Sequence, residues 1–147
     1  MDDFLDSVQP GQLFFLKAGR LADKIGEHPI LCLTNTEDEA FFALIVSSQV
    51  DKMMGRFELW ALQESSLVIF APSERNKLWK ECAVDCSKLR LFSKKVIAQI
   101  VDNDGFEELG ILEPELFEQV INGVLMDKSV ELSLKEKMPP SDCLYED

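Results

Sequence analysis

Three short apolar runs within the first fifty residues constrain this chain more than any other feature. They are Leu13-Phe14-Phe15-Leu16, Ile30-Leu31-Cys32-Leu33 and Phe41-Phe42-Ala43-Leu44-Ile45-Val46. Polar residues close each one: Lys17, then Thr34-Asn35, then Ser47-Ser48-Gln49. Runs of this length suit strands and are too brief for ordinary helices. The second and third are nearly all apolar, as expected of strands covered on both sides or lining a small barrel. The second run opens at His28-Pro29, and His28 is the only histidine of the chain. If these two strands are neighbours, the His28 imidazole and a hydroxyl of the Ser47-Ser48 pair could share one pocket.

Further strands are expected downstream. Pro10-Gly11 makes a turn that launches the first strand, and Ala18 to Glu27 reads as a loop. Phe57-Glu58-Leu59-Trp60-Ala61-Leu62 alternates with period two and suits a half-exposed strand. Leu67 to Phe70 is another, stopped by Ala71-Pro72. Glu81–Asp85 and Leu89–Phe92 flank a bend at Cys86-Ser87-Lys88. Val96 to Val101 fits either strand or helix, and Asp102-Asn103-Asp104-Gly105 is a turn. The clearest helix begins at Pro114, with Leu116, Phe117, Val120, Ile121, Val124 and Leu125 on one face. The pattern predicts a mainly β, α+β fold: a small barrel of about five to seven strands carrying one C-terminal amphipathic helix. Residues 1–128 form the single domain, and 129–147 a polar, mobile tail.

At 147 residues and 46% hydrophobic, the chain suits one domain. No apolar stretch approaches the roughly 20 residues of a membrane helix, and the acidic N-terminus is unlike a signal peptide. Cys32, Cys82, Cys86 and Cys143 show no disulfide spacing, so a reducing, cytoplasmic setting is expected. The net charge of −12 opposes nucleic-acid binding, which needs clustered bases. Charge is uneven, however. Arg75, Lys77, Lys80, Lys88, Arg90, Lys94 and Lys95 face only Glu81 and Asp85 within their segment, a local excess of +5 against −17 elsewhere. That stripe is a candidate anion-binding surface or simply a solvated face.

Other constellations are weaker. Cys82 and Cys86 are four apart, as are His28 and Cys32; in strands each pair would be about 13 Å apart, too far to share one metal. Aligning Gly105 with the glycine of a calcium loop puts Ile100 and Ile111 at ligand positions, so that motif fails. There is no phosphate-binding glycine loop, and one histidine leaves little scope for a triad. No metal or cofactor is expected. Trp60 and Trp79 read as core or interface residues, with base stacking as the sharper alternative.

Read in order, several segments resemble the MazF/PemK/Kid toxin family. Gly11-Gln12-Leu13-Phe14-Phe15-Leu16 is similar to its opening strand, and His28-Pro29-Ile30-Leu31-Cys32-Leu33-Thr34-Asn35 to its Arg-Pro-hydrophobic-Ser strand. Leu44-Ile45-Val46-Ser47-Ser48-Gln49 resembles the third strand, which ends in a Thr/Ser pair. Cys82 to Leu89 resembles a later strand and its Asp-Gln bend. Leu109-Gly110-Ile111-Leu112-Glu113-Pro114-Glu115-Leu116 resembles the entry to the family's C-terminal helix.

The resemblance implies an SH3-like barrel that forms homodimers, meets an antitoxin-like protein partner and, in active relatives, cuts single-stranded RNA without a metal. By position, the family's arginine becomes His28 and its threonine Ser48, with Ser47 beside it. Arginine is a permanent cation that grips phosphate with two N–H groups, whereas histidine is largely neutral near pH 7 but an efficient proton shuttle. The expected function is therefore a non-catalytic binding or dimerisation module of toxin–antitoxin type. The alternative is an endoribonuclease using His28 and Ser48, with Arg20, Arg75, Lys77, Lys80, Lys88 and Arg90 holding RNA.

Overall fold

A computed structural model describes residues 2–16, 28–35, 39–100 and 106–139. In chain order the elements are α1 (Asp2–Ser7), β1 (Gln12–Leu16), β2 (Ile30–Thr34), β3 (Ala40–Ile45), α2 (Val50–Leu59), β4 (Leu67–Phe70) and β5 (Cys82–Asp85). They continue with β6 (Arg90–Ser93), α3 (Lys94–Ile100), β7 (Phe106–Ile111), α4 (Pro114–Met126) and α5 (Leu132–Lys135). The fold is mixed α+β. Five strands form an antiparallel sheet in the order β6-β3-β2-β1-β7, and β4 and β5 pair separately. A bridge between Ser47 and Ala83 joins the two, because β3 runs on past its end to meet β5.

The three apolar runs are β1, β2 and β3, and the central sheet explains why they are unbroken. Leu31 lies opposite Leu13 on one side and Leu44 on the other. Leu13, Leu31, Leu33, Phe42, Leu44 and Val46 point into one core, shared with β4, β5 and α4. Their alternate neighbours Phe14, Leu16, Ile30, Cys32 and Phe41 point into a second core with Leu5, Val8 and Ile97. Both faces are therefore dry, and alternation with polar residues would have buried unpaired groups. Within the second core Phe41 stacks on Phe92 at 5.4 Å and meets the edge of Phe14 at 5.9 Å. Gly11 sets up this arrangement. Its φ of 88° is open to glycine at little cost, and its N–H reaches the Cys32 carbonyl at 2.8 Å.

Several expectations need correction. Phe57–Leu62 is not a strand: Phe57 to Leu59 finish α2, and Phe57 alone of the segment is buried. Helix accordingly takes a larger share than a mainly β reading allows. Lys94 to Ile100 is helical, which resolves the ambiguous segment over the residues described. Trp60 and Trp79 are not core residues, being 69% and 57% exposed. The chain beyond residue 128 is not wholly a loose tail, since Val130 and Met138 are buried in the first core on either side of α5. The expected loop at 18–27 and turn at 102–105 lie outside the described residues. Among the described residues no helix is long and apolar enough to cross a membrane.

Candidate functional site

The ends of β2 and β3 position the residues singled out by sequence. Ile30 pairs with Ile45, and the next step is kept by the Val46 N–H, which donates to the Pro29 carbonyl at 2.8 Å. Continued once more, this register sets the half-buried His28 across from Ser47 rather than Ser48. Ser47 has other commitments. Its backbone exchanges two hydrogen bonds with Ala83, at 2.9 and 2.8 Å. Its hydroxyl accepts from the Gln49 N–H at 3.1 Å, turning the chain toward α2.

Ser48 faces a separate cleft of about 440 Å³, lined also by Gln49, Asp51, Lys52, Lys80 and Glu81. Of the sequence-selected residues, the structure brings Ser48 and Lys80 together here, and His28 is not part of the lining. Lys52 is an addition that the sequence reading passed over. It sits in the first turn of α2, a helix that reading did not foresee. Lys52 and Lys80 are matched by Asp51 and Glu81, so the charged lining sums to zero and offers no strong field for an anion.

The remaining cations do not form one stripe. Arg75 and Lys77 border a hollow of about 480 Å³ together with Gln12, Glu108 and Gly110. Lys88 and Arg90 are exposed on the turn after β5 and on the edge strand β6. Arg20 lies outside the described residues. Trp79 stacks on Phe15 of β1 at 5.5 Å with ring planes 22° apart.

A residue that sequence reasoning missed holds the Arg75–Lys77 loop in place. Asn76 is fully buried and its carboxamide is saturated. The oxygen accepts from Ser73 N–H and Leu78 N–H, each at 3.0 Å, and the nitrogen donates to the Ala71 carbonyl at 2.9 Å and to Glu113 Oε1 at 3.0 Å. Gly110 lets the loop approach: a Cβ there would lie 2.1 Å from the Arg75 carbonyl oxygen. The Gly-x-x-Glu-Pro entry to α4 thus has a packing role, gripping the loop through Gly110 and Glu113. A serine three residues before an asparagine, just after Pro72, was the available signal.

The described cysteines are poor nucleophiles. Burial pushes the Cys32 and Cys86 thiols up to about 12, and it also raises Cys82. Among the described residues no group of three or more His, Cys, Asp or Glu is arranged to hold a metal ion. The buried Asp85 serves the turn that follows it, accepting from the Ser87 N–H at 3.0 Å and pairing with Arg56 at 3.5 Å. No protein-family model matches this chain, and no curated protein matches it in sequence.

Proposed function

We propose that this chain is a divergent relative of the MazF/PemK/Kid toxins that acts as a non-catalytic binding or dimerisation module of toxin–antitoxin type in the cytoplasm. One observation carries the loss of catalysis: Ser48 opens into a charge-balanced cleft that His28 does not line, and the Ser47 hydroxyl opposite His28 is engaged by Gln49. In-line cleavage of RNA needs an acid–base group and charge stabilisation converging on one phosphate. The Ser47–Ala83 bridge, which carries β3 into β5, supports an SH3-like wrapping of the strands.

The endoribonuclease alternative draws on the register of His28 with Ser47 and on Lys52 and Lys80 as substitutes for the missing arginine. The deciding experiment incubates purified protein with a long single-stranded RNA in the presence of EDTA, beside His28→Ala and Ser48→Ala variants. The binding-module reading expects intact RNA over a wide range of protein concentration. Cleavage that disappears in both variants overturns it.

A further inference from the structure

Several exposed apolar residues stand where α2 ends, and a groove opens beside them. It measures about 660 Å³ and is floored by Met54, Phe57, Ala61, Leu62 and Leu67. Leu59 and Trp60, next to it in sequence, are 78% and 69% exposed. Met54, Phe57, Glu58 and Ala61 fall at i, i+3, i+4 and i+7, so the lining follows one face of α2 into its C-terminal turn. An apolar strip at this spacing is the kind of surface along which an amphipathic helix of a partner lies.

Its charge is one-sided. Glu58 and Glu64 are the charged residues of the lining, and no base stands among them. Arg56, on the same helix, is turned to the buried carboxylate of Asp85. Self-association through this groove about a two-fold axis would set the same patch against itself and bring Glu58 and Glu64 toward like charge. A basic partner meets no such penalty. The geometry points to this groove as the docking site for an amphipathic helix of a partner protein, its apolar face seated on Phe57 and Leu62 and its lysines or arginines paired with Glu58 and Glu64. Trp60, exposed and adjacent in sequence to Ala61 of the lining, stands ready as an aromatic anchor beside it. The inference rests on the binding-module reading and gives it a location and a partner chemistry.

The test uses the full chain with Trp79→Phe, which leaves Trp60 as the only tryptophan. The probe is a synthetic peptide of about 18 residues with leucines at helical spacing and lysines elsewhere; its counterpart has glutamates for lysines. The expected result is a saturable blue shift of Trp60 emission with the lysine peptide alone. Affinity should fall about tenfold or more with Glu58→Lys/Glu64→Lys, two exposed reversals that leave the core untouched, and stay constant with Glu115→Lys on α4. No shift, equal binding of both peptides, or indifference to the groove reversals would overturn the inference. So would a dimer, seen by sedimentation, that Trp60→Ala dissociates, because the groove would then belong to a second copy. RNA cleavage dependent on His28 and Ser48 would instead strike the reading on which it rests, and the peptide titration reports on the groove separately.

Discussion

The N–H of Leu62 donates to the carbonyl of Phe57 at 2.9 Å, across the end of α2. With Ala61 N–H on the Glu58 carbonyl and Ala61 at φ 49°, this is a Schellman ending, complete with apolar residues at both ends of the longer bond. Such endings favour glycine at the left-handed position, where alanine carries strain of about 1 kcal/mol. Ala61→Gly is therefore expected to stabilise the protein by about 1 kcal/mol, read as a higher urea midpoint at unchanged slope. A lower midpoint would show that the Ala61 methyl packs usefully in the groove.

Gly123 presents the opposite case. It lies within α4, where alanine normally adds about 1 kcal/mol of helix stability. Here a Cβ would meet the Ser65 carbonyl oxygen at 2.6 Å and Cys86 Sγ at 2.7 Å. Gly123→Ala should cost about 1–3 kcal/mol, the usual penalty of overpacking. Chemical denaturation decides the sign, and a gain in stability would mean that α4 can move off the turn at Cys86.

These two residues also show where sequence could and could not guide the fold. The apolar runs of β1 to β3 were legible because burial on both faces leaves no room for polar alternation. The α4 helix was legible through Pro114 and its apolar spacing. The end of α2 was not, because its cap lacks the expected glycine and because Phe57, Leu59 and Leu62 happen to alternate. Misreading it hid Lys52 and the groove together. At the candidate site, order along the chain led to His28, Ser47 and Ser48, but the pleat and the turn into α2 send the two serines to different tasks. The Arg75–Lys95 excess was real in composition, yet Arg75 and Lys80 border different hollows, a separation that charge counting along the chain does not register.

Asn76 anchors the loop that bears Arg75 and Lys77. Removing its carboxamide in Asn76→Ala leaves the N–H groups of Ser73 and Leu78 and the Ala71 carbonyl without their side-chain partner in a buried setting. The expected cost is about 3 kcal/mol. Hydrogen exchange should then speed up at residues 71–78 before it does so in β2 or β3. Uniform acceleration across the protein would argue that the loop has no local stability of its own.

The buried thiols give a chemical readout of core integrity. In a Cys143→Ser background at pH 8, Cys32, Cys82 and Cys86 should resist a disulfide-exchange reagent and react fully once urea unfolds the chain. Their raised pKa values and burial both suppress the thiolate. Rapid native labelling of Cys86 would reveal opening between α4 and the turn at residues 86–88.

Acid should weaken the protein through Asp127, which is buried at the end of α4. Burial pushes its carboxyl up, but hydrogen bonds from Ser129 and Ser66, together with the charge of Lys135, outweigh that and hold it below the ordinary range. Ser129 supplies both its N–H, at 2.8 Å, and its hydroxyl, while the Ser66 hydroxyl binds the second oxygen. A folded-state value below the unfolded one means that the unfolded chain takes up the proton first as pH falls. The stabilisation is thus fully present above about pH 5 and drains away as pH drops through the unfolded value near 4 toward the lower folded one. Asp127→Asn should cost about 1–2 kcal/mol at pH 7, and its deficit against the parent should shrink steadily in urea titrations run from pH 6 to pH 3. A deficit that stays constant over that range would place the acid sensitivity on another carboxylate.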